Sequence, residues 1–155
     1  KTGTLTQNRM TCVAGWTAGR FFEDSMFTAG DLPAALAESI AEGVAVNSTA
    51  NVVFNSCSTD TETNSAGPEP PVVHGNKTEG ALLLMLQQQL GRDYIPLRQH
   101  FDASRGDRLL TFSSARKRMS VVLCTGAGKA GGKSAGGKKS SGGGVVYTKG
   151  ASEII

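Results

Sequence analysis

Between Asn76 and Gly91 the sequence reads Asn76-Lys77-Thr78-Glu79-Gly80, then an unbroken apolar run from Ala81 to Leu86, then Gln87-Gln88-Gln89-Leu90-Gly91. Asn76 is a helix N-cap type, Glu79 three residues on completes a capping-box pattern, and Gly91 supplies a C-terminal stop. A helix apolar nearly all round in its first half has no face there to give to water. It is therefore expected to be buried, and the rest of the chain has to supply the cover.

A second helix is marked by Asp31 and Pro33 at its start. Leu36, Ile40 and Val44, at spacing four, form one apolar stripe running to about Val46 and are expected to face the core. A strand is expected from Met10 to Gly15, continuing through Trp16, with Arg20 to Phe22 pairing against it across Thr17-Ala18-Gly19. Leu109 to Phe112 and Met119 to Cys124 read as strands joined by the polar turn Ser113 to Arg118. Val145 to Thr148 is a third, and a helix is expected to start over Ala151 to Ile155. Residues 58–71 turn to Ser, Thr, Asp, Glu, Gly and Pro, with too little apolar surface to offset ordering entropy, so they read as a surface loop. Residues 125–144 are dominated by Gly, Lys, Ser and Ala between two strands and read as an expanded hairpin loop.

The chain has 155 residues, enough for one domain, but 20 glycines and 6% aromatic residues leave less core than the length suggests. The net charge of +3 invites a nucleic-acid or membrane-surface role. Lys129, Lys133, Lys138 and Lys139 all lie in the Gly/Ser stretch, and without them 12 basic residues face 13 acidic ones. The basicity thus belongs to a loop, and no nucleic-acid partner is expected. No apolar run is long enough to span a bilayer and no signal peptide is readable, so this piece is expected to be soluble by itself. Cys12, Cys57 and Cys124 are scattered, odd in number and without metal-ligand spacing, which fits a reducing compartment. His74 and His100 have no acid or thiol partner at readable spacing. Asn47-Ser48-Thr49 and Asn76-Lys77-Thr78 match a glycosylation acceptor, a pattern short enough to recur by chance.

The chain opens with Lys1-Thr2-Gly3-Thr4-Leu5-Thr6. By itself this is a β-branched edge strand. It also resembles the phosphorylation loop of P-type ATPases, Asp-Lys-Thr-Gly-Thr-[Leu/Ile]-Thr, with the aspartate falling immediately before Lys1. The chemistry suits acyl-phosphate formation, in which a carboxylate attacks a γ-phosphoryl group and nearby donors hold the charge. Lys1 supplies a cation. Thr2 and Thr4 offer donors, Thr2 also being the expected Mg²⁺ ligand, and Gly3 allows a tight turn.

Three further stretches carry the same resemblance. Lys77-Thr78-Glu79 resembles the segment whose Glu binds the adenine amino group, which gives that role to Glu79 beside Thr78; helix capping is the alternative. Phe112-Ser113-Ser114-Ala115-Arg116-Lys117-Arg118-Met119-Ser120 resembles the Phe-Ser-x-x-Arg-Lys-x-Met-Ser stretch, in which the Phe stacks on adenine and the Lys lines the pocket, with Arg116 and Lys117 as cationic donors. Otherwise Phe112 is a core aromatic and residues 116–118 a solvated turn. Lys149-Gly150-Ala151 resembles the Lys-Gly-Ala signature at the pocket floor, where Gly150 lets the backbone approach the base. The set is most similar to the plasma-membrane type of calcium pump.

The resemblance implies an α/β (α+β) architecture, an antiparallel sheet with packed helices, as an incomplete nucleotide-binding domain over 10–155. Residues 1–9 form the end of a phosphorylation-domain strand and the hinge. It implies ATP and Mg²⁺ as cofactors, Ca²⁺ as the ion moved at membrane sites outside this stretch, a membrane parent with this part cytoplasmic, and calmodulin as a partner through a tail also outside it. The remaining Mg²⁺-holding carboxylates are implied beyond Ile155, so this chain alone is expected to bind nucleotide weakly at best and neither to hydrolyse ATP nor to form a phosphoenzyme.

Two rival readings belong to other classes. Ala127-Gly128-Lys129-Ala130-Gly131-Gly132-Lys133-Ser134 nearly fits a P-loop, but a P-loop needs a helix N-terminus after Lys-Ser. The following Ala135-Gly136-Gly137-Lys138-Lys139 does not support one. The other rival is a Gly/Lys-rich module binding polyanions, for which binding would be strongly salt-dependent.

Overall fold

A computed structural model of the chain describes residues 8–23, 26–54, 70–124 and 143–155. The opening hexapeptide, Cys57, most of the 58–71 loop and nearly all of the 125–144 loop, including the P-loop-like run, lie outside the described residues. The chain divides into two compact units, Lys1–Val44 with Ser48–Tyr94, and Ala45–Asn47 with Ile95–Ile155. Both are mixed α/β, and every strand pairing among the described residues is antiparallel.

In the first unit β1 (Gly15–Thr17) and β2 (Arg20–Phe22) form a hairpin in which Thr17 pairs with Arg20. Ala18 and Gly19 between them have φ of 51° and 75°, the positive values that a two-residue hairpin turn demands. The strand expected from Met10 therefore starts only at Gly15. The turn fixes the register, β2 stops at Phe22, and residues 10–14 have no partner in this ladder.

Helix α1 (Ala34–Val46) begins just after Pro33, whose carbonyl accepts from Leu36 N and Ala37 N at 2.9 and 3.0 Å. Its deepest face is not the expected stripe. Ala37, Ala41 and Ala45 are 7, 1 and 0% exposed, while Leu36, Ile40 and Val44 are only half-buried. Small side chains let the helix backbone come close to its neighbours, and the larger ones then flank the contact.

Strands β3 (Asn51–Val53) and β4 (Val72–His74) pair, and α2 (Lys77–Gln89) follows. As expected, α2 is buried through Leu83 to Leu86. Asn76 caps it, its side chain accepting from Thr78 N and Glu79 N at 2.9 and 3.4 Å. Gly80 is where the helix meets β4: a Cβ there would lie 2.2 Å from Val73 Cγ1. Met26, Phe27, Leu32, Ala37, Met85 and Leu90 form the core of this unit, with Cys12, Phe22, Leu36, Ile40 and Leu82 packed against it. Burial pushes the Cys12 thiol up from its ordinary value. The buried hydroxyl of Tyr94, the first residue of the short helix α3 (Tyr94–Arg98), accepts from Val52 N at 3.0 Å and donates to Val52 O at 3.3 Å.

The second unit is a sheet in the order β5-β6-β7, formed by β5 (Arg108–Ser113), β6 (Arg118–Cys124) and β7 (Gly144–Gly150). Cys124 pairs with Gly144, so the strands close around the root of the 125–142 segment as a hairpin loop requires. Val121 and Leu123 of the central strand pack with Val46, Phe101 and Tyr147. Asn47 is 2% exposed and its amide donates to Met119 O and Tyr147 O at 3.4 and 3.3 Å, which leaves it unavailable as a glycosylation acceptor. The helix expected over Ala151 to Ile155 is a single turn, closed by Ile154 N donating to Ala151 O at 2.9 Å. One closed turn does not meet the cost of helix nucleation.

Asp107 ties the two ends of the β5–β6 pair. Its fully buried carboxylate accepts from Cys124 N at 2.7 Å, Asp102 N at 2.8 Å and Arg105 Nη2 at 3.1 Å. Those bonds, the Cys124 amide first, hold its carboxyl below the usual carboxylate range. A carboxyl depressed on folding contributes stability above its unfolded value that disappears as pH falls through the folded value. Asp107→Asn should therefore lower the melting temperature at pH 7, and the gap to the wild-type chain should shrink as pH falls through the folded value. Thermal melts across a pH series check this; a gap independent of pH would contradict it.

Candidate functional site

Thr78 and Glu79 lie at the start of α2 in the first unit. Thr78 is exposed, and its hydroxyl contacts Met10 Sδ at 3.7 Å. Lys77 Nζ donates to Asn8 O at 3.0 Å. Glu79 is 7% exposed. The capping-box pattern predicts that its carboxylate returns to the amide of Asn76. Instead Oε2 reaches thirty residues back, accepting from Thr49 N at 2.7 Å, Thr49 Oγ1 at 3.0 Å and Ala50 N at 2.9 Å. A buried carboxylate needs several donors, and the two amides entering β3 offer a denser set than one helix end does.

Phe112, Arg116, Lys117, Lys149 and Gly150 all fall in the second unit. Leu110 pairs with Ser120 and Ser113 with Arg118, so Thr111 and Phe112 together oppose Met119. This is a β-bulge, which bends the strand and re-aims a side chain. Phe112 sits in it and is 61% exposed, not a core aromatic. On the other side of Met119 its ladder partner is Lys149. Met119, a buried residue of the central strand, therefore lies between a bulged aromatic and a lysine.

The turn after the bulge is fixed from within. Ser113 O accepts from Arg116 N at 3.1 Å and Lys117 N at 2.8 Å. The Arg116 side chain folds back over it, with Nε on Ser113 Oγ at 3.3 Å and Nη2 donating to Thr111 O. Arg116 thus spends part of its donor fork on the turn. Lys117 has φ of 49°, its carbonyl accepts from Ala151 N at 3.1 Å, and its ammonium lies 3.5 Å from Glu153 Oε1. Lys117, Lys149 and Gly150 are thereby brought to one end of the sheet. Thr49, Ala50 and Glu153 are partners that no local pattern announced, because each is set by tertiary pairing.

Lys1, Thr2 and Thr4 lie outside the described residues. Among the described residues no cluster of three or more His, Cys, Asp or Glu could hold a metal ion, and no helix is long and apolar enough to cross a membrane. His74 and His100 are exposed.

No protein-family model matches the chain, and no solved structure matches it. Curated proteins do. The chain is 33% identical over 157 residues to Plasma membrane calcium-transporting ATPase mca-1 of Caenorhabditis elegans. It is 34% identical over 155 residues to Plasma membrane calcium-transporting ATPase 4 of Homo sapiens, and 33% identical to Plasma membrane calcium-transporting ATPase 1 of Gallus gallus. Each match takes in 100% of this chain and 11% of the relative, so the chain spans about a tenth of the length of the proteins it matches. Similar to these proteins from its first residue to its last, the chain belongs to the plasma-membrane type of P-type calcium-transporting ATPases.

Proposed function

We propose that this stretch is the ATP-binding part of a membrane protein that couples ATP hydrolysis, through an aspartyl phosphate, to Ca²⁺ transport. Residues 1–9 end a phosphorylation-domain strand on the cytoplasmic side, and 10–155 form part of the nucleotide-binding domain. The observation that carries the reading is the exposed aromatic face of Phe112, in the bulge at Thr111-Phe112, at the sheet end that also holds Lys117 and Lys149. An aromatic plane and ammonium groups are what a purine carrying a polyphosphate requires: the ring stacks and the cations offset the phosphate charge. Arg116, through the donors the turn leaves over, adds to that charge. By the resemblance, Glu79 is read as the contact for the adenine amino group with Thr78 a nucleotide-binding residue beside it, and Thr2 is the residue that would hold Mg²⁺. The phosphates' own charge makes the ion necessary chemistry, since it screens the oxygens for in-line attack.

Phe112→Ala should weaken ATP binding about tenfold, the scale of one lost stacking contact. Calorimetry on the 155-residue chain checks it, and unchanged affinity removes Phe112 from the site. Deleting residues 127–143 should leave both ATP affinity and melting temperature nearly unchanged, because loop-length entropy varies slowly. Loss of binding on that deletion would establish the P-loop rival instead.

Glu79 should show two separable effects. Glu79→Ala strands the Thr49 and Ala50 amides and should cost about 1–3 kcal/mol of stability in urea unfolding. Glu79→Gln should weaken ATP more than a nucleotide lacking the adenine amino group; equal losses would leave Glu79 with its structural bonds alone.

A further inference from the structure

Besides the bond from its own amide to Ser113 O at 2.8 Å, Lys117 is held from three directions on the end of β7 and the turn that follows it. Its φ of 49° is a conformation that residues with a side chain seldom adopt, so something must fix it. Its carbonyl accepts the Ala151 amide at 3.1 Å. That approach needs residue 150 to have no side chain: a Cβ on Gly150 would stand 2.6 Å from Lys117 O and 2.8 Å from Arg118 Cβ. The backbone that comes close to Gly150 is the chain's own. Beyond it, the bond from Ile154 N to Ala151 O at 2.9 Å turns the chain back, and Glu153 Oε1 lies 3.5 Å from the Lys117 ammonium, both side chains being more than half exposed.

We propose that Gly150 and Glu153 are positioning residues for Lys117, Gly150 setting its backbone and Glu153 holding its ammonium in a pair from which a nucleotide polyphosphate must draw it. This rests on the reading that Lys117 meets the phosphates of ATP. The two residues act with opposite sign. Gly150 builds the geometry that presents Lys117, and removing that geometry weakens binding. Glu153 competes with the ligand for the same ammonium and adds a negative charge beside it, so its removal strengthens binding.

The test uses the 155-residue chain. Gly150→Ala should speed hydrogen exchange of the Ala151 amide about tenfold, as expected for one lost hydrogen bond, and weaken ATP binding. Glu153→Gln should leave Ala151 exchange unchanged, shift the Lys117 side-chain resonances, and tighten ATP binding about two- to fivefold, the range of an exposed ion pair. The gain should fade at high salt and vanish in a Lys117→Ala background, where the competing ammonium is gone. Equal or weaker affinity in Glu153→Gln, or a gain that persists without Lys117, overturns Glu153's part. Unchanged Ala151 exchange in Gly150→Ala overturns that of Gly150. If Gly150→Ala does not fold, the Glu153→Gln series decides. If the wild-type chain binds no ATP, the nucleotide reading fails, and the positioning of Lys117 stands or falls on Ala151 exchange and the Lys117 resonances.

Discussion

A carboxylate taken out of water must find donors where it lands, and each unit of this chain is arranged around one that does. In the first, Glu79 is drawn inside with α2 because the residues that follow it, Gly80, Ala81 and Leu83 through Leu86, are buried. Its Oε2 then pins Thr49 and Ala50, which sets where the chain leaves α1 and enters β3. In the second, Asp107 spans from the turn at 102–105 to Cys124 and so fixes where β5 begins against the end of β6. Removing either partner of such an arrangement leaves stranded polar groups, which costs more than the bonds contribute when made.

The same logic decided what could be read from residues alone. Elements set by local chemistry were legible: the Asn76 cap, α1 starting behind Pro33, the Ala18-Gly19 turn and the three-strand antiparallel sheet with its loop root at Cys124 and Gly144. What depended on partners distant in sequence was not. Ala37 and Ala41 outrank Leu36 and Ile40 in burial because close approach favours small side chains, which a hydrophobic pattern reads the other way. Residues 10–14 fail as a strand because β2 offers only three pairing positions. Glu79 was placed at its own helix start by a spacing rule, yet the donors that satisfy it come from thirty residues earlier.

The candidate site shows the same division. Its residue types and their order are carried by the resemblance to calcium pumps, but the bulge in which Phe112 sits and the clamp on Lys117 arise from register and from a missing Cβ at Gly150. Arg116 is spent partly on Thr111 and Ser113, and Lys117 on Glu153. The Arg116 bonds order a long side chain before any ligand arrives, which lowers the entropy lost on binding, whereas the Lys117 pair has to open for the ammonium to reach a phosphate. A site so constructed presents fixed groups at the sheet end and changes little in backbone on binding.

Whether this end of the β5–β6–β7 sheet receives ATP, as proposed, is tested most directly by isotope-edited NMR of the 155-residue chain titrated with Mg-ATP. Saturable shift changes should concentrate at Phe112, Arg116, Lys117, Lys149 and Gly150, with the aromatic resonances of Phe112 moving upfield as a purine stacks on the ring. Changes confined to the Gly/Lys stretch at 125–142, reproduced by inorganic tripolyphosphate and absent from Phe112, would contradict it.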